Sequence, residues 1–461
     1  MMERNEVVPP LADGTVYSKR KSFCPLSTPS LEAYAPIVGE DKVKRLQELG
    51  KQLKGLKLLQ LSASAVGGGI AEMLYSSVPF LSNLGIDSEW KVIRGSDQYF
   101  ECTKSLHNLL QGEQGSFTPD MEETYFCTLE QCVKTGLIDY NPDVVIVHDP
   151  QPLGLTRYIK KPGETWLWRC HIDIEEAALS TNPNLWNFIT MWAEHYDAAI
   201  FSAAHYVVSR WPLPKFIIPP FIDPLSDKNR EISQEQIDEI LAKYDIDPKV
   251  PIIAQIGRFD PWKGLDRTIA TYRQVKEEVK CQLVIAGGLA ADDPQGERVL
   301  EKVYYQTRGD EDIHVLNIPP ANLEINALQR AANVIMQPST REGFGLVITE
   351  ALWKGKPVIA ADVGGIPLQV RDADTGYFYK TPRKTAQKIL YLLRNAEAAE
   401  LMGTRGRRYV QNHFLLPDRI VDCLMAIDMT MSGAGYNKLP ADSIISFHPW
   451  FKLSKRRQAF Q

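Results

Sequence analysis

The sequence predicts an α/β protein built from two doubly wound, Rossmann-like domains facing an interdomain cleft. Three observations point to it. The chain has 461 residues, beyond the size at which one hydrophobic core keeps growing. Short runs rich in Val, Ile and Leu alternate with longer stretches of helical periodicity, the pattern of a parallel sheet covered by helices. These runs also fall into two series, parted by a Pro-containing polar stretch.

In the first series the expected strands cover 56–61, 90–93, 144–147, 167–170, 198–201 and 216–218; in the second they cover 252–256, 283–286, 314–316, 334–337 and 357–360. Between them lies PPFIDPLSDKNREISQEQ, where Pro219, Pro220 and Pro224 stop any regular element before a helix around Ile237. A hinge is placed there. The N-terminal domain then covers 1–222 and the C-terminal domain 223–461, the latter including helices over 400–413 and 418–431 and the tail. The first 30 residues, with Pro9, Pro10, Pro25 and Pro29, read as an irregular arm. Beyond Gly433 no strong period is present.

Composition narrows the function classes. A hydrophobic fraction of 44% and a charged fraction of 24% are those of a folded soluble protein. The net charge of −5 provides no general field for nucleic acid or an anionic membrane. Only the stretch from Lys452 to Arg457 is locally basic, and it reads as a solvated tail. Seven scattered cysteines without CxxC spacing fit reduced thiols. With neither an apolar leader nor a long apolar run, a cytoplasmic location is expected.

Three motifs carry chemistry. Gly67-Gly68-Gly69 stands between an expected strand and the helix beginning IAEML. Glycines there let backbone N–H groups approach an anion at a helix N-terminus. The residues after Gly69 break the GxGxxG spacing, which disfavours a dehydrogenase. The second motif, GRFDPWKG at 257–264, sends Arg258 and Lys263 from the carboxyl end of a strand, where ligands of open parallel sheets sit. Two cations suit a diphosphate, Arg as a fork of donors and Lys as a point charge. The third, REGFGLVITEALWKGKPVIA at 341–360, sets Glu342 before a Gly343-Phe344-Gly345 turn and Glu350 on the helix that follows. Carboxylates are good acceptors for paired sugar hydroxyls.

Taken together, the Glu-x7-Glu pattern with Arg258 and Lys263 upstream resembles the retaining GT-B glycosyltransferases. The segments GGGIAEML, VHDPQP at 147–152, WLWRCHID at 166–173 and RFDPWKG together look like the trehalose glycosyltransferring synthases, over roughly Leu31 to Phe414. That resemblance implies a retaining hexosyltransferase joining glucose from a nucleoside diphosphate glucose to free glucose, reversibly. It implies GT-B architecture with the nucleotide sugar on the C-terminal domain and the acceptor on the N-terminal one. Arg258 and Lys263 would bind the diphosphate, Glu342 the transferred sugar and Glu350 the ribose hydroxyls. Phe344, Gly345 and Leu346 would line the site by their backbone, and Gly68 and Gly69 would offer amides to the donor. Arg258, Lys263, Glu342 and His171 form the expected catalytic set, with His171 contacting the donor sugar. His148, Asp149, Gln151, Arg169 and Asp173 are the expected acceptor-binding groups.

No convincing carboxylate nucleophile is present for a double-displacement route. A front-face route is adopted instead, in which the departing phosphate accepts the acceptor hydroxyl's proton, closure about the hinge excluding water. No bound cofactor and no metal are expected. The expected partners are small sugars and a nucleotide sugar, not nucleic acid or a membrane; a homodimer is one possible assembly. Three alternatives stay open: a retaining trehalose phosphorylase, a related transferase with another acceptor, and a sensor that binds the donor without turnover.

Overall fold

The computed structural model describes residues 9–174, 176, 182–289, 295–318, 321–432, 439–440 and 442–447. The basic stretch 452–457 and the first eight residues of the arm lie outside the described residues. The chain divides into two compact units. One is Phe221–Leu415; the other joins the described residues up to Pro220 with those from Leu416 onward.

In the first of these in chain order, the sheet contains β1 (Thr15–Ser18), β2 (Lys57–Ser62), β3 (Asp87–Val92), β4 (Val144–His148), β5 (Thr165–Cys170), β6 (Ala198–Phe201), β7 (Lys215–Ile217) and a last strand, Ile444–Ser446. Their spatial order is β1-β3-β2-β4-β5-β6-β7 followed by Ile444–Ser446. β1 runs antiparallel to β3 and every other neighbour is parallel. After β3 the chain crosses back to place β4 on the other side of β2, so the strand order reverses between β2 and β4. The residues leaving the carboxyl ends of those two strands flank that crevice, the usual ligand position in a doubly wound sheet.

The Phe221–Leu415 unit holds β8 (Ile252–Ile256), β9 (Gln282–Gly287), β10 (Ile313–Asn317), β11 (Val334–Gln337), β12 (Val358–Ala360) and β13 (Gly376–Phe378). Their order is β10-β9-β8-β11-β12-β13, all parallel. Here the reversal falls between β8 and β11. The core under this sheet is built by Ile253, Leu283, Ile285, Val334, Met336 and Ile359 from the strands, with Ile269, Tyr272 and Ile389 from the covering helices.

Three assignments from sequence need correction. The arm contains a strand: Thr15, Val16, Tyr17 and Ser18 are all buried, so β1 lacks the alternation that reveals an edge strand. Val16 and Tyr17 pack on Ala71, Leu74, Val78 and Trp90. β3 begins at Asp87 rather than Trp90, because Ser88, Glu89 and Lys91 are buried although polar or charged. Lys91 lies 3.5 Å from Glu89 and 3.3 Å from Asp13 of the arm, which supplies the partners such burial requires.

The third correction concerns Leu416–Ser432, which was grouped with the C-terminal domain. It packs on helices Glu40–Gln52 and Gly69–Asn83 and on β5. Leu416, Ile420, Cys423, Leu424 and Ile427 are buried there. Lys42 pairs with Asp418 at 2.9 Å. The apolar period of this helix was legible, but periodicity does not say which sheet receives it.

The stretch placed at the hinge also has fixed backbone partners. Asn326 Nδ2 donates to the carbonyls of Asp227 at 2.9 Å and Arg230 at 2.8 Å, and Trp353 Nε1 donates to Asn229 O at 3.2 Å. These bonds hold 227–230 against helices Asn322–Ala331 and Leu346–Trp353.

Leu424 is fully buried, so Leu424→Ala should destabilise the unit containing β1–β7 by about 2–5 kcal/mol. Hydrogen exchange, followed separately in peptides from each unit, checks this. Faster exchange confined to Phe221–Leu415 would show that the helix supports the other body.

Candidate active site

In the Phe221–Leu415 unit the chain leaves β8 through Gly257 and Arg258 and makes a short helical turn, Pro261–Lys263. Asp260 starts the turn by accepting from the Trp262 N–H at 2.9 Å. Gly264 ends it in the left-handed region, with φ 66°. A Cβ at Gly264 would also overlap the Pro338 carbonyl oxygen, so both conformation and space demand glycine. Gln255 Nε2 donates to the Lys263 carbonyl at 2.8 Å, fixing this residue from below.

Lys263 is thereby aimed at the loop after β11. Its Nζ lies 2.7 Å from Glu342 Oε2. The same oxygen accepts from Ser339 Oγ at 3.1 Å and Gln337 Nε2 at 3.3 Å. Burial alone would raise the Glu342 pKa; the Lys263 ammonium and these donors outweigh it and hold the carboxyl below its ordinary range. Arg341 lies over the Trp262 ring at 4.8 Å, and the Thr340 N–H donates to Trp262 O at 2.7 Å. The loops at the sheet reversal are thus tied together. Arg258 is more open, its side chain 38% exposed and 3.9 Å from Asp260.

Helix Leu346–Trp353 starts at Gly345, with φ 85° and no side-chain cap. Phe344 is buried edge-on to Phe414, centroids 5.6 Å apart. Its carbonyl accepts from Gln369 Nε2. Glu350, one turn on, is 2% exposed and doubly engaged: Oε1 lies 3.0 Å from Lys228 Nζ and Oε2 accepts from Gln329 Nε2 at 2.9 Å. Burial works to raise its pKa, but Lys228, Lys354 and the Gln329 hydrogen bond bring it below the usual value. Beneath it, burial pushes the Lys354 amine down to about 7 despite the pull of Glu350; Lys354 Nζ donates to Asn229 Oδ1 at 3.0 Å.

The other unit places its candidates at its own sheet reversal. Gly67 and Gly68 follow β2 with φ 70° and 97°, and helix Gly69–Asn83 starts without a side-chain cap. From the end of β4, His148 Nδ1 lies 3.1 Å from His171 Nε2, and His148 Nε2 lies 3.1 Å from Gln60 Oε1. Burial, reinforced by Arg169, holds both imidazoles well below their ordinary pKa, so they are neutral. Asp149 adopts φ 62°, the left-handed region that Asp enters more readily than most side chains. Its Oδ1 accepts from the His171 N–H at 2.7 Å. Burial raises the Asp149 carboxyl to about 7, against the opposing effects of that bond and of Arg169.

The remaining acceptor candidates divide. Asp173 accepts from Gln111 Nε2. The Gln151 carbonyl accepts from Tyr99 OH at 2.7 Å, while its side-chain Oε1 is buried without a partner. Arg169 is 6% exposed and donates from Nη1 to Cys423 Sγ at 3.2 Å. The guanidinium is thus buried, and its positive charge bears on both neighbouring imidazoles.

The structure thus gathers Lys263, Glu342 and the helix carrying Glu350 in one unit, and His148, Asp149 and His171 in the other. Motif reading missed Lys228, Gln329, Ser339 and Gln60. Lys228 was hidden in the supposed hinge. Gln60 had left a signal, a lone amide inside the strand KLLQLS. Among the described residues no group of three or more His, Cys, Asp or Glu side chains is arranged to hold a metal ion, and no helix is long and apolar enough to cross a membrane.

Residues 60–208 match the family model for the N-terminal domain of trehalose synthase, and residues 236–409 match that for glycosyl transferases group 1. The chain is similar to a trehalose synthase of Pyrococcus horikoshii, 42% identical over 406 residues, covering 86% of this chain and 96% of that protein. It also resembles a trehalose phosphorylase of Pleurotus pulmonarius, 30% identical over 75% of this chain and 53% of that protein. Among solved structures, a sucrose-phosphate synthase of Thermosynechococcus elongatus superposes with a TM-score of 0.62 at 18% identity, covering 82% of this chain and 99% of the other. The low identity of that structure speaks for the fold, whereas the trehalose synthase match spans both units in sequence: the chain is a GT-B glycosyltransferase and belongs to the trehalose synthase family.

Proposed function

We propose that this enzyme transfers glucose, with retention, from a nucleoside diphosphate glucose to free glucose, reversibly, giving trehalose in the cytoplasm. The observation that carries the reading is the set at the β8–β11 reversal: two ammonium groups, Lys263 and Lys228, each paired with a carboxylate, Glu342 and Glu350, that its neighbours keep ionised. Such a set complements a sugar joined to a ribose through a diphosphate.

In this reading Arg258 and Lys263 neutralise the diphosphate, and the Gly68 and Gly69 amides add to that field. Glu342 orients the Lys263 ammonium and meets the transferred sugar. Glu350 accepts from the ribose hydroxyls, and the backbone of Phe344, Gly345 and Leu346 lines the site. His171 meets the donor sugar; His148, Asp149, Gln151 and Asp173 serve the acceptor. The bond between the anomeric carbon and the phosphate oxygen breaks, and the acceptor oxygen bonds to that carbon on the same face. Its proton passes to the departing phosphate. The residues contribute by stabilising charge that grows on the leaving group, with no metal ion needed.

A neutral acceptor fits the polar end of the unit containing β1–β7. Its two acceptor segments contain a single cation, Arg169, and that cation is buried against Cys423. A sugar phosphate would call for a presented Arg or Lys.

Three measurements test the proposal. Arg258→Ala should lower turnover on the order of 10² to 10³ while changing stability by less than about 0.5 kcal/mol, because the side chain is well exposed; near-normal turnover would remove the diphosphate role. Glu350→Gln should weaken nucleoside diphosphate binding in calorimetry by roughly ten- to a hundredfold, the usual worth of a charged hydrogen bond. Unchanged affinity would favour a phosphorolytic reaction instead. Given the nucleotide sugar, the purified enzyme should use glucose in preference to glucose 6-phosphate and release a non-reducing disaccharide. A clear preference for the phosphate ester would overturn the acceptor assignment and leave the glycosyltransferase class standing.

A further inference from the structure

The pair His148 and His171 ends on a residue that no motif points to. Gln60 lies inside β2, 5% exposed, in register beside Ile146 of β4. Its Oε1 is 3.1 Å from His148 Nε2, and His148 Nδ1 is 3.1 Å from His171 Nε2. The imidazole planes are inclined by 9° with centroids 5.4 Å apart. The three side chains therefore form one hydrogen-bonded line, from a strand interior out to the partly exposed His171.

A neutral imidazole carries one N–H and one bare nitrogen. With the Gln60 carbonyl facing His148, the proton of His148 must be on Nε2, leaving Nδ1 bare. His171 must then donate from its own Nε2, which leaves its Nδ1 bare. Rotating the Gln60 amide would reverse every member of the line and turn the outer nitrogen into a donor. In the observed orientation the Gln60 carbonyl faces His148 and the buried amide nitrogen makes no hydrogen bond of its own, so the direction of the line follows from which end of the amide meets His148. Arg169 is the charged side chain acting on both rings, and its positive field opposes a second proton on either. The Asp149 carboxyl acts on His171 through the backbone N–H, which fixes position rather than tautomer.

We infer that Gln60 is a positioning residue that fixes the tautomers of His148 and His171, so that His171 offers a bare Nδ1, a hydrogen-bond acceptor, to a hexose hydroxyl. The inference rests on the reading that His171 meets a sugar. The tautomers themselves do not depend on that reading, which keeps the two separable. A relay of neutral groups suits an uncharged ligand: it imposes a direction on the hydroxyl's proton without placing a charge beside the anomeric carbon.

Nitrogen-15 NMR of the imidazoles in the full-length enzyme tests the first part. Both rings are expected as Nε2–H tautomers over the neutral pH range; an Nδ1–H tautomer at His171 overturns the proposal. Gln60→Met, similar in volume but without the amide, should remove the bias at His148 and lower kcat/KM on the order of tenfold, the worth of one oriented hydrogen bond. If Gln60→Met retains both the tautomers and the rate, Gln60 has no positioning role. If the tautomers change but kcat/KM does not, His171 does not read the hydroxyl, and the inference fails together with its role in sugar binding. Amide exchange across β2 distinguishes either result from simple unfolding.

Discussion

A carboxylate almost closed off from water remains charged only when enough positive charge and enough donors reach it, and Glu342 meets that condition through loops that leave two different strands. Lys263 reaches it from the carboxyl side of β8, while Gln337 ends β11 and Ser339 follows it. The chain between Gly257 and Gly264 is shaped to deliver that ammonium. Asp260 starts the turn, Gly264 allows the reversal against Pro338, and Gln255 holds the Lys263 carbonyl. Breaking the pair would leave a buried charge without compensation, which costs several times more than a surface ion pair contributes. The site geometry and the stability of the two loops are therefore one requirement.

Two other buried carboxyls show how finely this balance is set. Glu350 has Lys228 on one oxygen and Gln329 on the other, and it is held below the ordinary range. Asp149 has a backbone N–H and the more distant field of Arg169, and burial prevails, raising it to about 7. Burial opposes ionisation at all three, so the difference lies in the neighbours. Under the proposed reading Glu350 accepts from ribose hydroxyls, a role that needs the ionised form its neighbours favour, whereas burial favours the protonated form at Asp149.

Much of this was legible in the residues because local chemistry determined it. Most of the parallel strands were visible as apolar runs, although β13 was not expected, and Gly264 and Gly345 announced turns that only glycine accommodates readily. Glu342, Glu350 and Lys263 stood in motifs whose spacing is local. What escaped notice depended on long-range contacts. β1 and Ile444–Ser446 are short and owe their existence to the strands they meet, and helix Leu416–Ser432 joins a sheet formed more than 200 residues earlier. Lys228 approaches Glu350 across more than 100 positions. Arg169 stands in a motif at the end of β5, and the Cys423 that its Nη1 meets comes from that same late helix, a contact no local pattern reveals.

The two units also differ in how they handle polarity. At the β8–β11 reversal the side chains are ionic and paired with opposite charges, Lys263 with Glu342 and Lys228 with Glu350. At the β2–β4 reversal the imidazoles are neutral, the nearby guanidinium is buried, and orientation comes from hydrogen bonds among Gln60, His148 and His171. Arg169 does more for that arrangement by its position than by contact, because a positive field behind two imidazoles makes protonation of either costly. A neutral imidazole line can exist with only two directions of donation, and the end of the Gln60 amide that faces His148 decides between them. The same burial that makes ionic groups expensive in this part of the sheet thus makes tautomer selection inexpensive and stable, and hydroxyl recognition calls for direction rather than net charge.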